Sequence, residues 1–362
     1  MKLRYFLRYY PTLSETFAWG EAQALQALGH SVSCLAMEPR ADGALAEALP
    51  EWEVRYPPAW PAALPAALRL SAEGWESAAW LHRFQSWRRV CLALWAASTL
   101  APEERLHAHF AGEAAEWAAL GSRVRGNPFG VTVHAVDLFR PRASLPELLR
   151  QARLVVTISR WNAAFIEERY GVKARVIYCG VRPERWPVAE PGGDGPVVSV
   201  GRNVPKKGLN QLAEAIEGLP GARLQLVSDA PGLASERIQV LGLRPQGEIA
   251  RIFAGASLFA LPCRVAEDGD RDGLPVALME AMAAGLPVLT TTLPGLDELV
   301  DEEVGWLVPP DDPEALRQAL AQALGDPAER ARRGRAARAR VLARFTLARQ
   351  AAELARAWEE VA

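Results

Sequence analysis

The chain has 362 residues, and half of them are hydrophobic, which is enough to build the cores of two domains. Its formal net charge is −2, so the composition gives no electrostatic footprint for nucleic acid, and we expect no nucleic-acid partner. The four cysteines show no Cys-x-x-Cys spacing, which argues against a disulfide framework or a zinc–cysteine site and favours free thiols in a reducing compartment.

The chain opens with a strand pattern that contains charged residues, and it has no small-residue cleavage site, so we expect no signal peptide. No uncharged apolar run reaches about 18 residues, so we expect no transmembrane helix and a cytoplasmic location. Alternating patterns follow up to about residue 182. Strands are predicted at 3–9, 30–37, 106–110, 129–134, 154–159 and 175–179, and helices at 14–28, 114–123, 145–151 and 161–170. This alternation predicts a doubly wound domain over residues 1–182.

Segment 57–100 interrupts that alternation, and its pattern is mostly helical. It holds five of the twelve tryptophans, and Trp80, Phe84, Trp87 and Cys91 recur at helical spacing on one face. Two interpretations are open. An amphipathic helix of this kind suits an anionic lipid surface, which would bring the protein to the inner face of a membrane as a peripheral protein. A helix that covers the sheet of the first domain has the same pattern.

A breaker-rich segment at 183–196 divides the chain, because prolines and glycines accumulate there as in a linker. A second strand–helix series from 197 to about 308, followed by helices at 313–323 and 328–343, predicts a second doubly wound domain over 197–345. A last helix is predicted over 347–362.

Residues 272–288, DGLPVALMEAMAAGLPV, place two carboxylates eight positions apart, Asp272 in a loop and Glu280 in a helical run. A helix N-terminus binds anions through its free N–H groups. Because eight residues are close to two helical turns, we expect both carboxylates on one helix face. This predicts a site for a phosphate and two sets of sugar hydroxyls. The alternative is that Asp272 caps the helix and Glu280 faces water.

Residues 197–209, VVSVGRNVPKKGL, form a second candidate element. A strand that ends at Gly201 leads into a basic loop and then a helix, which is a phosphate-binding arrangement. Arg202 can fork onto phosphate oxygens, and Lys207 can act as a point charge. The alternative is a solvated turn with ordinary surface cations.

Together these two segments resemble the retaining glycosyltransferases of the GT-B fold, specifically glycosyltransferase family 4 and its exopolysaccharide and colanic-acid branch. The resemblance implies two Rossmann-like domains facing a cleft, with the C-terminal segment 346–362 crossing back onto the first domain. It implies a donor site made of seven residues: Gly201, Arg202, Lys207, Asp272, Gly273, Leu274 and Glu280.

Within that implied site, Arg202 and Lys207 would clamp the donor diphosphate, and Glu280 would bind the ribose hydroxyls. Asp272 stands where the family usually has glutamate, so its shorter side chain predicts a displaced sugar contact or an altered sugar preference. The donor would be a UDP- or GDP-sugar.

The acceptor side is predicted in the first domain. The loop after the first strand faces the ligand crevice of an open α/β sheet, which makes Ser14, Glu15 and Thr16 candidates. Helix capping alone would also explain Ser14 and Glu15.

Two histidines close strand patterns at the same end of the sheet. The resemblance matches His134 to a histidine beside the donor sugar, where it would orient a sugar hydroxyl, and Asp137 would orient His134 or cap the next turn. His109 is either an acceptor-side residue or a satisfied structural histidine. No third ligand is evident from spacing, so no metal site is predicted. The Asp-x-Asp pair at 268–270 is a weak metal signal that the resemblance disfavours.

The sequence therefore predicts a retaining, metal-independent hexosyltransferase that uses no cofactor and modifies a saccharide or lipid-linked saccharide acceptor in cell-surface polysaccharide or glycolipid synthesis. Its predicted catalytic residues are His134, Asp272, Arg202 and Lys207. Two alternatives stay open: a nucleotide-sugar epimerase on the same fold, and a non-catalytic sugar-nucleotide-binding assembly protein. A nicotinamide dehydrogenase is disfavoured because no G-x-G-x-x-G follows the strands.

Overall fold

The computed structural model describes residues 1–12, 16–39, 53–67, 71–190 and 192–361. The chain forms two compact units. The first unit comprises Met1–Ile158, Asn162–Ile177 and Ala351–Ala362, and the second comprises Ser159–Trp161 and Tyr178–Gln350. Each unit is built on its own parallel sheet, with seven strands in the first and six in the second. The predicted α/β fold class of two Rossmann-like domains is confirmed.

The first sheet is doubly wound. Its strands are β1 (Lys2–Tyr10), β2 (Ser31–Pro39), β3 (Val54–Arg55), β4 (Glu104–His109), β5 (Phe129–Val133), β6 (Leu154–Thr157) and β7 (Arg175–Val176). They lie in the order β3-β2-β1-β4-β5-β6-β7. The strand order reverses between β1 and β4, and in open α/β sheets ligands bind at the carboxyl ends beside such a reversal.

Helices pack over this sheet, because its apolar strands must be shielded from water. They are α1 (Thr16–Ala27), α2 (Trp60–Ala67), α3 (Ala72–His82), α4 (Trp87–Ser98), α5 (Glu113–Arg125), α6 (Ala135–Phe139), α7 (Leu145–Gln151) and α8 (Arg160–Tyr170). One core cluster joins Leu81 of α3, Ala93 of α4 and Trp117 of α5 to Leu106 and Val131 of the sheet. Strands that are buried on both faces read as continuous apolar runs, as β5 does.

The single helical face predicted around Trp80 and Trp87 is wrong. Helix α3 ends at His82, and Ser86 caps a new helix, α4, by accepting a hydrogen bond from the backbone N–H of Arg89. The two tryptophans therefore lie on different helices. Trp80 is 6% exposed and belongs to the core, as the sheet-covering alternative requires, whereas Trp87 is 47% exposed.

The second sheet is also doubly wound. Its strands are β8 (Val197–Val200), β9 (Leu224–Val227), β10 (Ile238–Val240), β11 (Leu258–Leu261), β12 (Val288–Thr291) and β13 (Gly305–Val308). Its helices are α9 (Leu209–Glu217), α10 (Gln246–Ala254), α11 (Val276–Ala283), α12 (Pro313–Gly325) and α13 (Pro327–Arg344). The strand order β10-β9-β8-β11-β12-β13 reverses between β8 and β11. The segments that follow these two strands are therefore the expected ligand-binding segments of this unit.

The C-terminal helix α14 (Leu347–Glu360) brings the end of the chain into the first unit, which includes the residues from Ala351 onward. Trp358 is fully buried and lies against Gly130 of β5, where a Cβ atom would meet the indole ring at 2.6 Å. The Arg105 guanidinium donates to the carbonyl of Trp358 over 3.1 Å. Only glycine at position 130 leaves room for this helix. Within the described ranges, no helix is both long and apolar enough to cross a bilayer.

Candidate active site

The basic loop after β8 is held in place by the strand exit of β11. Gly208 has a positive φ of 63°, and a Cβ atom there would lie 2.0 Å from the carbonyl oxygen of Pro262. Only glycine therefore allows this close approach. The backbone N–H of Arg264 also donates to the carbonyl of Lys206 over 2.9 Å. These contacts bring the segments after β8 and β11 together, although they are far apart in the sequence.

Ion pairs connect the two segments. The Nζ atom of Lys207 lies 2.7 Å from an Asp272 oxygen, and that of Lys206 lies 3.6 Å from Asp272 and 3.0 Å from Asp270. The four side chains are only 12–16% exposed. Burial raises the pKa of Asp272, but the two lysines outweigh it and hold this pKa below its usual value. Burial lowers the pKa of Lys207, and Asp272 more than reverses that effect.

Asp272 is not placed as the spacing predicted. It lies in an irregular segment, and α11 begins at Val276, four residues later. Glu280 is thus one turn into that helix, and the two carboxylates do not share a helix face. The physical reason is Pro275, which disfavours helical backbone at the residue before it. The N-cap residue of α11 is Pro275, and the helix has no side-chain cap hydrogen bond. The alternative in which Asp272 caps this helix is therefore wrong.

Glu280 is 7% exposed, so the alternative in which it faces water is wrong. The Gln246 side-chain amide, at the start of α10, donates to its Oε1 atom over 2.7 Å. Burial raises the pKa of Glu280 to about 7, and the amide opposes this only in part. Gln246 is a site residue that the sequence did not indicate, because nothing in its spacing relates it to Glu280.

The remaining donor-site candidates lie in the same segments. Arg202 is exposed after β8 and forms no ion pair with the described residues, unlike Lys207. Gly201 is bonded through its backbone N–H to the carbonyl of Val227. Gly273 and Leu274 are buried between Asp272 and α11. All seven predicted donor-site residues therefore lie in the second unit, in the segments that follow β8 and β11, and the pair of Lys207 and Asp272 joins these segments.

His134 lies in the first unit, directly after β5, and is 7% exposed. Its ring lies 4.9 Å from that of Phe17 and 4.4 Å from that of Phe110, measured between centroids. Its Nε2 atom is buried without a hydrogen-bonding partner among the described residues. Burial, helped by His109 and His107, lowers the pKa of His134 well below its usual value, so the imidazole is neutral near neutral pH.

Asp137 acts as a helix cap. Its carboxylate accepts the backbone N–H of His134 over 2.8 Å, which closes the first turn of α6. The bond goes to the backbone and not to the imidazole, so it fixes the position of His134 without fixing its proton. Burial raises the pKa of Asp137 to about 7, against the hydrogen bonds from His134 and Ala111.

His109 belongs to a buried polar cluster that the sequence did not indicate. Its Nε2 atom lies 3.0 Å from Glu21 of α1, and Tyr5 donates to the same carboxylate. His107 is bonded through Nε2 to the Thr132 hydroxyl at 2.8 Å, and burial lowers its pKa to about 3.

A third potential ligand, which the sequence spacing did not indicate, converges on two of these histidines. Ligand atoms of Glu21, His107 and His109 lie within 4.8 Å of one another. Each of these side chains nevertheless has a protein partner, so hydrogen bonding accounts for the cluster without an ion. His109 fits the structural alternative.

The acceptor-side candidates at the start of α1 are described only in part. Ser14 and Glu15 lie outside the described residues. Thr16 is the first residue of α1, and its side chain is likewise outside the described part. The assignment of this loop to an acceptor stays a prediction.

Two doubly wound units, one with a basic loop and two largely buried carboxylates after its strand reversal, define the GT-B fold class. The model described as Glycosyltransferase Family 4 matches residues 14–185, and the model described as Glycosyl transferases group 1 matches residues 195–326. The chain belongs to glycosyltransferase family 4.

Relatives and solved structures agree with this assignment. WcaL of Escherichia coli (strain K12), a candidate colanic acid biosynthesis glycosyltransferase, is 28% identical over 369 residues, covering 89% of this chain and 90% of WcaL. AmsK of Erwinia amylovora, an amylovoran biosynthesis glycosyltransferase, is 35% identical over 218 residues, covering 52% of this chain and 54% of AmsK.

Among solved structures, HepE of Anabaena in complex with UDP-glucose has a TM-score of 0.75 at 20% identity, covering 99% of this chain and 100% of HepE. Sucrose-phosphate synthase of Thermosynechococcus elongatus has a TM-score of 0.75 at 19% identity, covering 100% and 99%. At such identities the likeness shows the fold alone.

Proposed function

We propose that this glycosyltransferase moves a hexose from a UDP- or GDP-sugar to a saccharide or lipid-linked saccharide acceptor, with retention of the anomeric configuration and without a metal ion or cofactor. The observation that carries this proposal is the ion pair of Lys207 and Asp272 at the strand reversal of the second unit, in the segments that also hold Arg202 and Glu280. Relatives named for colanic acid and amylovoran synthesis support a role in cell-surface polysaccharide.

Two cations of the second unit, Arg202 and Lys207, oppose the negative charge of the donor diphosphate. Arg202 is exposed and can form a planar fork with phosphate oxygens, while Lys207 supplies a point charge close to it. In this proposal Arg202 and Lys207 take the place that a metal ion would have at the diphosphate. Glu280, with a pKa of about 7, can bind ribose hydroxyls as acceptor or donor. Asp272 is assigned to the hydroxyls of the transferred sugar.

The reaction follows from where charge develops. The acceptor oxygen bonds to the anomeric carbon on the face that the diphosphate leaves, the bond between that carbon and the phosphate oxygen breaks, and the departing phosphate takes the acceptor proton. Arg202 and Lys207 stabilise the charge that forms on the leaving group. His134 is neutral with a free Nε2 atom, and we assign it to a hydrogen bond with the transferred sugar.

A peripheral position at the inner face of a membrane completes the proposal. Trp60, Trp75 and Trp87, on α2, α3 and α4, are 42–48% exposed, and Arg83 and Arg88 are exposed on the same segment. Exposed indole rings with arginines suit an anionic lipid interface. This contact would serve a lipid-linked acceptor.

A panel of nucleotide sugars tests the proposal, first by thermal stabilisation and then by transfer to saccharide acceptors. We expect stabilisation by one UDP- or GDP-sugar, and a product whose NMR coupling shows the anomer of the donor. Transfer should continue in EDTA. An inverted product would refute retention, and activity restored only by a divalent ion would refute metal independence. Donor-only conversion to an epimer would identify an epimerase, and binding without transfer would identify a non-catalytic protein.

A further inference from the structure

Lys207 already has an anionic partner. Its Nζ atom lies 2.7 Å from the Asp272 carboxylate, so the ammonium group that the proposed function assigns to the diphosphate is already paired. Asp272 is ionised, because the neighbouring lysines hold its pKa below the usual value although burial raises it. Any diphosphate that reaches Lys207 therefore meets a negative charge that is already paired with it.

The surrounding segments keep this pair together. Lys206 lies 3.0 Å from Asp270 and 3.6 Å from Asp272, so it joins both carboxylates. The Cys263 thiol lies 3.5 Å from Asp272, and the backbone of Arg264 is bonded to that of Lys206. Asp272 is thus held on several sides, and the pair is more than a chance contact between two mobile side chains.

A carboxylate and a phosphate compete for the same ammonium protons, and like charges at close range repel each other. An incoming diphosphate must therefore displace Asp272 from Lys207 or bind beside it at a disadvantage. An intact donor compensates for this loss, because its sugar hydroxyls can donate hydrogen bonds to the displaced carboxylate. A nucleoside diphosphate has no such sugar and offers no compensation.

We propose that Asp272 is a specificity-determining residue that distinguishes the intact donor from its nucleoside diphosphate product, by competing with the diphosphate for Lys207 and regaining a partner only from the donor sugar. This inference rests on the proposed function. Its consequence is weak product binding, which favours release of the diphosphate after transfer.

Calorimetry with UDP, GDP and the nucleotide sugar that the panel selects tests this role in the full chain. Asp272→Asn removes the competing charge, so we expect its affinity for the matching nucleoside diphosphate to rise about three- to tenfold. Affinity for the intact donor should stay level or fall, since the sugar loses its acceptor. The ratio of donor to product affinity should therefore fall in this variant.

Asp270→Asn is the matched control, because it makes the same charge change beside Lys206 but Asp270 has no ion pair with Lys207. Its product affinity should change by less than about twofold. If product affinity rises equally in both variants, the rise comes from the change in net charge and not from the pair with Lys207, and the inference is overturned. Unchanged or weaker product binding in Asp272→Asn would also overturn it.

Two further measurements keep the outcomes distinct. Circular dichroism and melting temperature establish that Asp272→Asn is folded, and Asp272→Ser replaces it if it is not, with the same expectation for product affinity. If the unmodified protein binds no nucleotide sugar of the panel and neither UDP nor GDP, the proposed donor site itself fails. If it binds one of them and Arg202→Ala weakens that binding while Asp272→Asn does not tighten it, only the role of Asp272 fails.

Discussion

Two buried clusters, one in each unit, hold their polar groups in opposite ways. In the second unit, Lys207 and Asp272 stay charged inside the protein because each compensates the other. In the first unit, the His134 ring has aromatic neighbours and no ion pair among the described residues, and burial keeps it neutral. The difference indicates two kinds of chemistry. A charged cluster suits a diphosphate, whereas a neutral imidazole with a free nitrogen suits a sugar hydroxyl.

The largest expected effect tests whether His134 serves the transferred sugar while the charged cluster of the second unit binds the diphosphate. His134→Ala should reduce turnover by about a hundred- to a thousandfold, the range for loss of one hydrogen bond at the reacting centre. Binding of UDP or GDP should stay within about twofold in calorimetry, because the diphosphate contacts proposed here lie in the second unit.

His107→Asn is the control for a structural role. His107 is fully buried and bonded to Thr132, so its replacement should lower the melting temperature with near-normal turnover per folded molecule. The same outcome for His134→Ala would make His134 a structural residue and remove the chemical distinction between the clusters.

The next effect concerns the charged cluster. Arg202→Ala removes a charge-assisted phosphate contact worth roughly 1.5–3 kcal/mol, so donor and diphosphate affinity should both fall about ten- to a hundredfold. Arg317→Ala, an exposed arginine on α12 that pairs with Glu314, is the control and should leave calorimetric affinity unchanged. Equal losses in both variants would mean that net charge, and not this loop, governs binding.

Glu280 sharpens the comparison within the second unit, since it is buried with no ion pair in the described part of the chain, and burial raises its pKa to about 7. A raised carboxyl pKa means that the folded protein holds a proton that the unfolded chain releases. The stability from this proton is therefore present below the ordinary pKa of about 4.3 and is lost as pH rises to about 7.

Glu280→Gln removes that dependence. Relative to the unmodified protein, the variant should gain about 2–3 kcal/mol of unfolding free energy between pH 5 and pH 8, measured by denaturant titration. Asp137, whose pKa is also raised to about 7, is present in both proteins, so their difference isolates Glu280. A pH-independent difference would show that Glu280 is ionised in the folded state.

Sequence patterns predicted the alternation of strands and helices and the basic loop after β8, because these depend on local periodicity and on glycine and proline signals. They did not predict the pairing of Lys207 with Asp272, or of Glu280 with Gln246. Each pair joins segments that meet only through the sheet order, and neither leaves a regular spacing in the chain. The start of α11 at Val276 was readable, since Pro275 marks the boundary.

The first unit shows the same division between local and tertiary information. The strand that places His134 was predicted, but the bond between Glu21 and His109 was not, because α1 and β4 meet through packing alone. The tryptophan segment shows the opposite error, where a helical spacing across residues 80–91 was assigned to one helix. A serine cap in its middle divides it in two, and this local signal outweighs the periodicity.

The smallest expected effect concerns the exposed surface of the first unit. Trp75 on α3 is 48% exposed, so Trp75→Ala removes apolar area that an anionic lipid interface would bury, with little loss of core packing. Partitioning onto vesicles that contain phosphatidylglycerol, measured by sedimentation, should fall roughly two- to fivefold. Leu342→Ala on α13 of the second unit removes a side chain that is 51% exposed and serves as the control, with no expected change. Because arginines accompany the indole rings on this segment, vesicles of phosphatidylcholine alone should bind less protein in every case. If Trp75→Ala and Leu342→Ala partition alike, the exposed tryptophans have no role at a membrane, and the difference between the two units is confined to their buried clusters.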